Sequence, residues 1–195
     1  MKPYMTMMLV LITSLFTSIS MQAQTKLPAT AKLVDDNGDK QLYLNVERAA
    51  SEDDLGGVTS VWLYNKQQNT TTRILVSNPE AQGAWDRMQN HNAIPVAMNQ
   101  VAAADNARFI VGDSKIIVEG CPDARNIWSY IIDLNTKKAV QLSSNAGLIG
   151  FCGEDETYIV MSSYRYNPDP EVGGRFPVLL VFSTEGSFLK EIEVR

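Results

Sequence analysis

Apolar and polar positions alternate along most of this chain in short runs broken by turn residues. Gln41 to Glu47 is the plainest case. Leu42, Leu44 and Val46 fall on one side, and Tyr43, Asn45 and Glu47 on the other, which is the period of a half-buried strand. Val58 to Asn65 is apolar nearly throughout and rich in aromatic and β-branched residues, as a strand covered on both faces should be. Thr30 to Asp35 precedes the first of these and Thr72 to Val76 follows the second. The turn Asp36-Asn37-Gly38-Asp39 is expected to be a type I′ hairpin, because Asn-Gly tolerates positive φ at both central positions. A polar loop, Arg48 to Gly57, joins the second and third strands.

The same order returns twice. The second unit has strands at Arg108 to Val111, Lys115 to Glu119, Ile127 to Leu134 and Ala139 to Ser143. The third has Leu148 to Phe151, Thr157 to Ser163, Phe176 to Phe182 and Ser187 to Val194, with its longest loop at Tyr164 to Gly174. The three third-strand segments superpose as Val61 to Asn65, Ser129 to Asp133 and Leu179 to Ser183, each apolar and ending on a polar residue that enters a turn. Pro177 is the misfit, since proline cannot donate to a ladder and belongs at a strand start or an edge. A repeat of this length predicts an all-β, blade-like architecture. The units run over about 29–78, 107–145 and 146–195, in one domain from 24 to 195.

Between the first two units lies the insert 79–106. Asn78 suits a helix cap, Pro79 the first helical position and Glu80 the positive end. A short helix is expected from Pro79 to about Gln89, then an irregular return.

The first 23 residues read as an export signal. Lys2 supplies the positive charge, Met5 to Phe16 the apolar run, and Ser18 to Ala23 a small, polar cleavage region. That run is too short to span a bilayer, and no later segment is apolar enough to do so. The protein is expected to be periplasmic or secreted and complete as one mature domain.

The strand, tight turn, strand, polar loop, strand, turn, strand order resembles the blades of divergent β-propellers from exported Bacteroidota proteins. Tyr130-Ile131-Ile132-Asp133-Leu134-Asn135-Thr136-Lys137 is similar to the third strand and turn of such blades, with Lys138 replacing the glycine next to Lys137, which weakens the turn signal. The resemblance implies a fold and transfers no binding or catalytic residue. Three blades do not close a ring of the usual four to eight. One expectation is a homodimer in which two chains share a ring of about six blades and bury their open ends isologously. The other is a monomer packed as a sandwich or an open curved sheet.

A net charge of −5, spread along the chain, argues against nucleic acid, whose binding rests on basic patches. Two cysteines in an exported chain suggest a bridge, but strand geometry argues otherwise. Cys152 ends a first strand and Cys121 follows a second, which places them at opposite ends of antiparallel strands. A five-residue strand spans about 17 Å, and a disulfide needs Cα atoms within about 7 Å. No disulfide is therefore expected.

Candidate chemistry is confined to the loops after the second strands. Tyr164, Arg165, Tyr166 and Arg175, with Asp53 and Asp123, are the candidate ligand-binding residues, for a glycan, a peptide or an envelope protein. The bland reading is that these are solvated loops. Polysaccharide hydrolysis or lysis would need paired carboxylates, for which Asp53, Asp54, Asp169 and Glu171 supply only the residue types. His91 is the sole histidine, which argues against a multi-histidine metal site or a Ser-His-Asp triad. Asp35, Asn37 and Asp39 mimic a calcium loop, but Gly38 is misplaced for one. No cofactor, metal or catalytic residue is called for. The expected function is a non-enzymatic binding or scaffold module, with an enzyme acting on polysaccharide or a structural part of an envelope complex as the alternatives.

Overall fold

The computed structural model describes residues 26–51, 57–81, 93–110, 112–122, 126–143 and 145–194. The leader, Asp53, Asp54, Asp123, His91 and most of the expected helix lie outside the described residues. Of that helix only the entry is described, a turn in which the Asn78 side chain accepts the Glu80 N–H at 3.2 Å.

Among the described residues the chain is all-β and propeller-like, folded into three antiparallel sheets in sequence order. The first sheet is β1(Lys32–Asp36), β2(Lys40–Arg48), β3(Val58–Asn65) and β4(Thr70–Val76). The second holds β6(Asn106–Ile110), β7(Lys115–Gly120), β8(Trp128–Asp133) and β9(Lys138–Ser143), preceded in the chain by β5(Ile94–Val96). The third is β10(Gly147–Cys152), β11(Tyr158–Tyr166), β12(Arg175–Ser183) and β13(Phe188–Glu193). The four main strands of each sheet form a meander, with strands that are neighbours in sequence paired side by side.

β5 is new relative to the sequence reading. It adds a fifth strand to the second sheet, with Pro95 opposite Val140. A three-residue edge strand centred on proline has no periodic signal, and proline is tolerated there because it lies at an edge. The first turn also differs. Gly38 stands at φ +98°, but Asn37 is not among the positive-φ residues, so the hairpin is not type I′. Side-chain oxygens of Asp36 and Asn37 accept the Gly38 and Lys40 N–H groups instead.

Pro177 does lie inside β12, opposite Tyr164. Its carbonyl accepts the Val194 N–H, just past the end of β13. Its missing donor therefore faces the last residues of the β13 side, so the β11–β12 ladder loses no bond and only the end of the β12–β13 pairing does.

The sheets stack in a fixed sense. We call the face of a sheet toward the next sheet its front and the opposite face its back. Leu42 and Val61 on the front of the first sheet share a core with Val118, Tyr130 and Ile132 on the back of the second. Ile117 and Ile131 on the front of the second pack with Met161, Leu180 and Phe182 on the back of the third. The return segment Val101 to Ala104 is buried in the first core. Its Ala102 N–H donates to the Tyr130 hydroxyl at 3.2 Å, which pairs a backbone donor that would otherwise be buried alone.

Polar ties repeat between sheets. Lys40, at the start of β2, reaches the Asp113 carbonyl in the next sheet at 3.2 Å. Lys115, at the equivalent place in β7, pairs with Glu185 in the third sheet. The Glu119 carboxylate, on the front of the second sheet, accepts the Leu148 N–H of β10 at 2.6 Å.

Candidate functional site

The register of β11 with β12 decides how the aromatic residues are presented. The sequence reading placed Tyr164 to Tyr166 in a loop, but they continue β11, with Tyr164 opposite Pro177, Arg165 opposite Phe176 and Tyr166 opposite Arg175. Alternation carries the strand on, and the connecting turn shortens to residues 167–174. Because neighbours in a strand point to opposite faces, the candidate cluster splits. Tyr164, Tyr166 and Arg175 share the front of the third sheet, and Arg165 points to the back.

On the front, the two tyrosine rings meet edge to face, with centroids 5.8 Å apart and planes at 88°. The Arg175 guanidinium lies in the corner they form, 4.4 Å from the Tyr164 ring and 4.8 Å from the Tyr166 ring. Both rings present their negative faces to the cation. Among the described ion pairs no carboxylate is bound to Arg175, so its edge donors remain available to an anion. On the back, the Arg165 Nε is 2.6 Å from Glu191 Oε1 and is occupied within the chain.

Below the cage the front face is apolar. Cys152, Tyr158, Val160, Leu179, Leu189 and Ile192 line a shallow depression of about 470 Å³. This contrasts with the other two fronts. By register, Ile192 holds the place on β13 that Leu75 holds on β4, since they face Leu179 and Val61. Leu75 is 5% exposed beneath the second sheet, whereas Ile192 is 39% exposed. Tyr158 likewise stands where Lys40 and Lys115 reach across to a following sheet, and it is 42% exposed. The apolar depression was missed from sequence because its members look like ordinary core residues. Only the stacking order leaves them uncovered.

The remaining candidates serve the fold. Asp169 accepts the Glu171 N–H at 2.9 Å and shapes its own turn. The three residues that mimic a calcium loop diverge: Asp35 accepts the Phe109 N–H at 2.7 Å, Asn37 bonds Asp113, and Asp39 bonds Gln67. Among the described residues no group of three or more His, Cys, Asp or Glu is placed to hold a metal ion. No disulfide joins Cys121 and Cys152, and both are exposed. Among the described residues no helix is long and apolar enough to cross a membrane.

A second cleft, of about 620 Å³, opens between the first and second sheets, lined by Lys32, Leu44, Val46, Thr59, Ala104 and Asp105. Among the described residues titration is shifted at four groups, each with a local cause. The Lys66 ammonium, helped by Gln41 and the Gly38 N–H, lowers Asp36 to about 2. The Ser60 hydroxyl, then Asn45, lowers Glu47. Burial raises Tyr130 to about 12. The Thr136 N–H lowers Asp133 at the third-to-fourth strand turn.

No protein-family model matches the chain, and no curated protein matches it. Solved structures similar to it include the β-propeller domain of the Trilobed protease from Pyrococcus furiosus, described as having an open velcro topology. The identity is 12%, the TM-score 0.48, and the match covers 85% of this chain and 43% of that one. Pyrococcus horikoshii acylaminoacyl peptidase is similar at 11% identity and a TM-score of 0.46, over 84% of this chain and 25% of that one. The chain thus spans less than half the length of either.

Proposed function

We propose that this chain is an exported, non-enzymatic binding module of propeller type, which docks a protein partner on the front of its third sheet. The observation that supports the reading is the contrast between fronts. Two pack against the next sheet over most of their area, while the third is an apolar depression edged by a held arginine. Apolar surface of this kind, rimmed by polar groups, is what protein interfaces are built from. The leader at residues 1–23 and the likeness to exported Bacteroidota propellers support a periplasmic or secreted location. Asp169, one of the carboxylates a polysaccharide-cleaving enzyme would need, is engaged in its own turn, which favours binding over cleavage.

A photo-crosslinking residue at Ile192, introduced into the full chain in the cells that make it, tests the reading. A discrete adduct is expected from Ile192, none from the exposed turn residue Lys137, and loss of the adduct when Leu179→Glu is added. No adduct from Ile192, or equal adducts from both positions, would overturn it.

A further inference from the structure

Resting on that reading, we infer that the occupant of the third sheet's front is the back of the first sheet of a second copy of this chain. In this arrangement Arg175 of one copy faces Glu47 of the other.

The stacking rule carries the inference. Both sheet contacts within the chain are front on back, and the register identifies equivalent positions on every back. Leu33 pairs with Tyr43, Ala107 with Val118, and Leu148 with Met161. These three pairs are equivalent because their second members face Trp62, Tyr130 and Leu180 on the third strands. Where a preceding sheet exists, the positions are covered: Ala107, Val118 and Met161 are buried, and Leu148 packs into the second core. At the first sheet, where no described sheet precedes, Leu33 is 51% exposed and Tyr43 half-buried. Among the described residues, then, the front of the third sheet and the margin of the first sheet's back are left uncovered, and they are of the two kinds that meet in the contact made twice within the chain.

Charge agrees with shape. In the strands of the third sheet the front carries Arg175 and Lys190 and no carboxylate, in a chain whose net charge is −5. The back of the first sheet carries Glu47 near the end of β2, exposed, with one oxygen accepting the Ser60 hydroxyl at 2.5 Å. The β2–β3 and β11–β12 connections leave their sheets at the same end, so Arg175 and Glu47 occupy the same rim. The interior of that back is already settled: Ser60 and Trp62 are buried, and the indole N–H donates to the Ser60 hydroxyl at 2.7 Å. What the back offers a partner is its margin, at Leu33, Tyr43 and Glu47, with the Arg73 guanidinium, 5.8 Å from the Trp62 ring, as a further charge on that face. Each joint pairs unlike surfaces, and a two-fold axis applies it twice to give a six-sheet ring. The two-fold makes the pairing reciprocal, Arg175 to Glu47 in both directions, so the interface as a whole is isologous, the form of dimer expected from sequence.

Light scattering on size-exclusion fractions of the exported protein tests this, using wild type, Arg175→Glu, Glu47→Arg and the double swap. The expected results are a two-chain mass for wild type, dissociation at least about tenfold stronger in each single variant, and recovery in the double. A one-chain mass for wild type overturns the inference, as does a dimer indifferent to all three variants. If either single variant loses its fold by circular dichroism, Ile192→Asp takes its place and is expected to give one-chain mass. An unchanged dimer there also overturns the inference. A monomeric wild type whose Ile192 crosslinks to a different protein would reject the second copy and leave the binding module standing. A monomer with no adduct would reject both.

Discussion

Asp36 shows how much one exposed turn can hold. Its carboxylate receives the Lys66 ammonium at 2.8 Å, the Gln41 amide at 2.8 Å and the Gly38 N–H at 2.9 Å, which together lower its pKa to about 2. A depressed carboxyl stabilises the folded state fully above its unfolded value, 3.8, and this contribution is lost as pH falls through about 2. An NMR titration is expected to find the Asp36 midpoint near 2, moving up toward 3.8 in Lys66→Gln. At Tyr130 the sign is reversed. Burial raises its pKa to about 12, so its contribution is whole below the usual value near 10 and fades as pH rises through 12. Tyr130→Phe would leave the buried Ala102 N–H without its acceptor. Urea unfolding is expected to show a loss of about 1–3 kcal/mol. Neither arrangement was legible in sequence: Tyr130 read as one more apolar strand residue, and Asp36 as one more turn residue.

At the scale of the element, the turns and close approaches set the sheets. Asn69, Lys137 and Gly186 each adopt positive φ in the turn between the third and fourth strands, at 49°, 56° and 88°. The sequence reading set the replaced glycine at Lys138, but the left-handed position is Lys137, where a side chain carries strain. Lys137→Gly is expected to raise stability by about 0.5–1 kcal/mol in urea unfolding. Gly120 ends β7 against the buried return segment, and an added Cβ would lie 2.5 Å from the Ala103 carbonyl carbon. Gly120→Ala is expected to cost about 1–3 kcal/mol, read as a lower midpoint in the same measurement. Twelve of the described strands were placed from alternation, apolar runs, turn residues and the repeat to within a few residues at each end. β5 was not, because three residues around Pro95 have no period. β11 ran past its expected end because Tyr164 and Tyr166 pair with β12, a contact between segments that local pattern cannot register.

At the scale of the molecule, the candidate site was legible in part. Tyr164, Tyr166 and Arg175 were picked from sequence, and the structure brings them together. Arg165, picked with them, is turned to the other face and bound to Glu191. The third sheet's front was not foreseen, because Val160, Leu179 and Ile192 have the composition of a core. Their exposure follows from order: each sheet covers the front of the one before it, and no described sheet follows the third. The same front-on-back order predicts that Ile192→Asp disturbs association more than folding. Thermal unfolding of that variant should stay close to wild type once both are measured at concentrations too low for association.

The sequence by itself determined most strand positions and the threefold repeat, because hydrophobic period and turn residues are local properties of the chain. Which face each strand buries was also local, since alternation assigns Leu42 and Tyr43 to opposite sides wherever the sheet is placed. Only the tertiary structure decided which of those faces are covered. Burial of Leu75 and exposure of Ile192, at equivalent places in equivalent strands, depend on whether another sheet lies above, and that is fixed by contacts far apart in sequence.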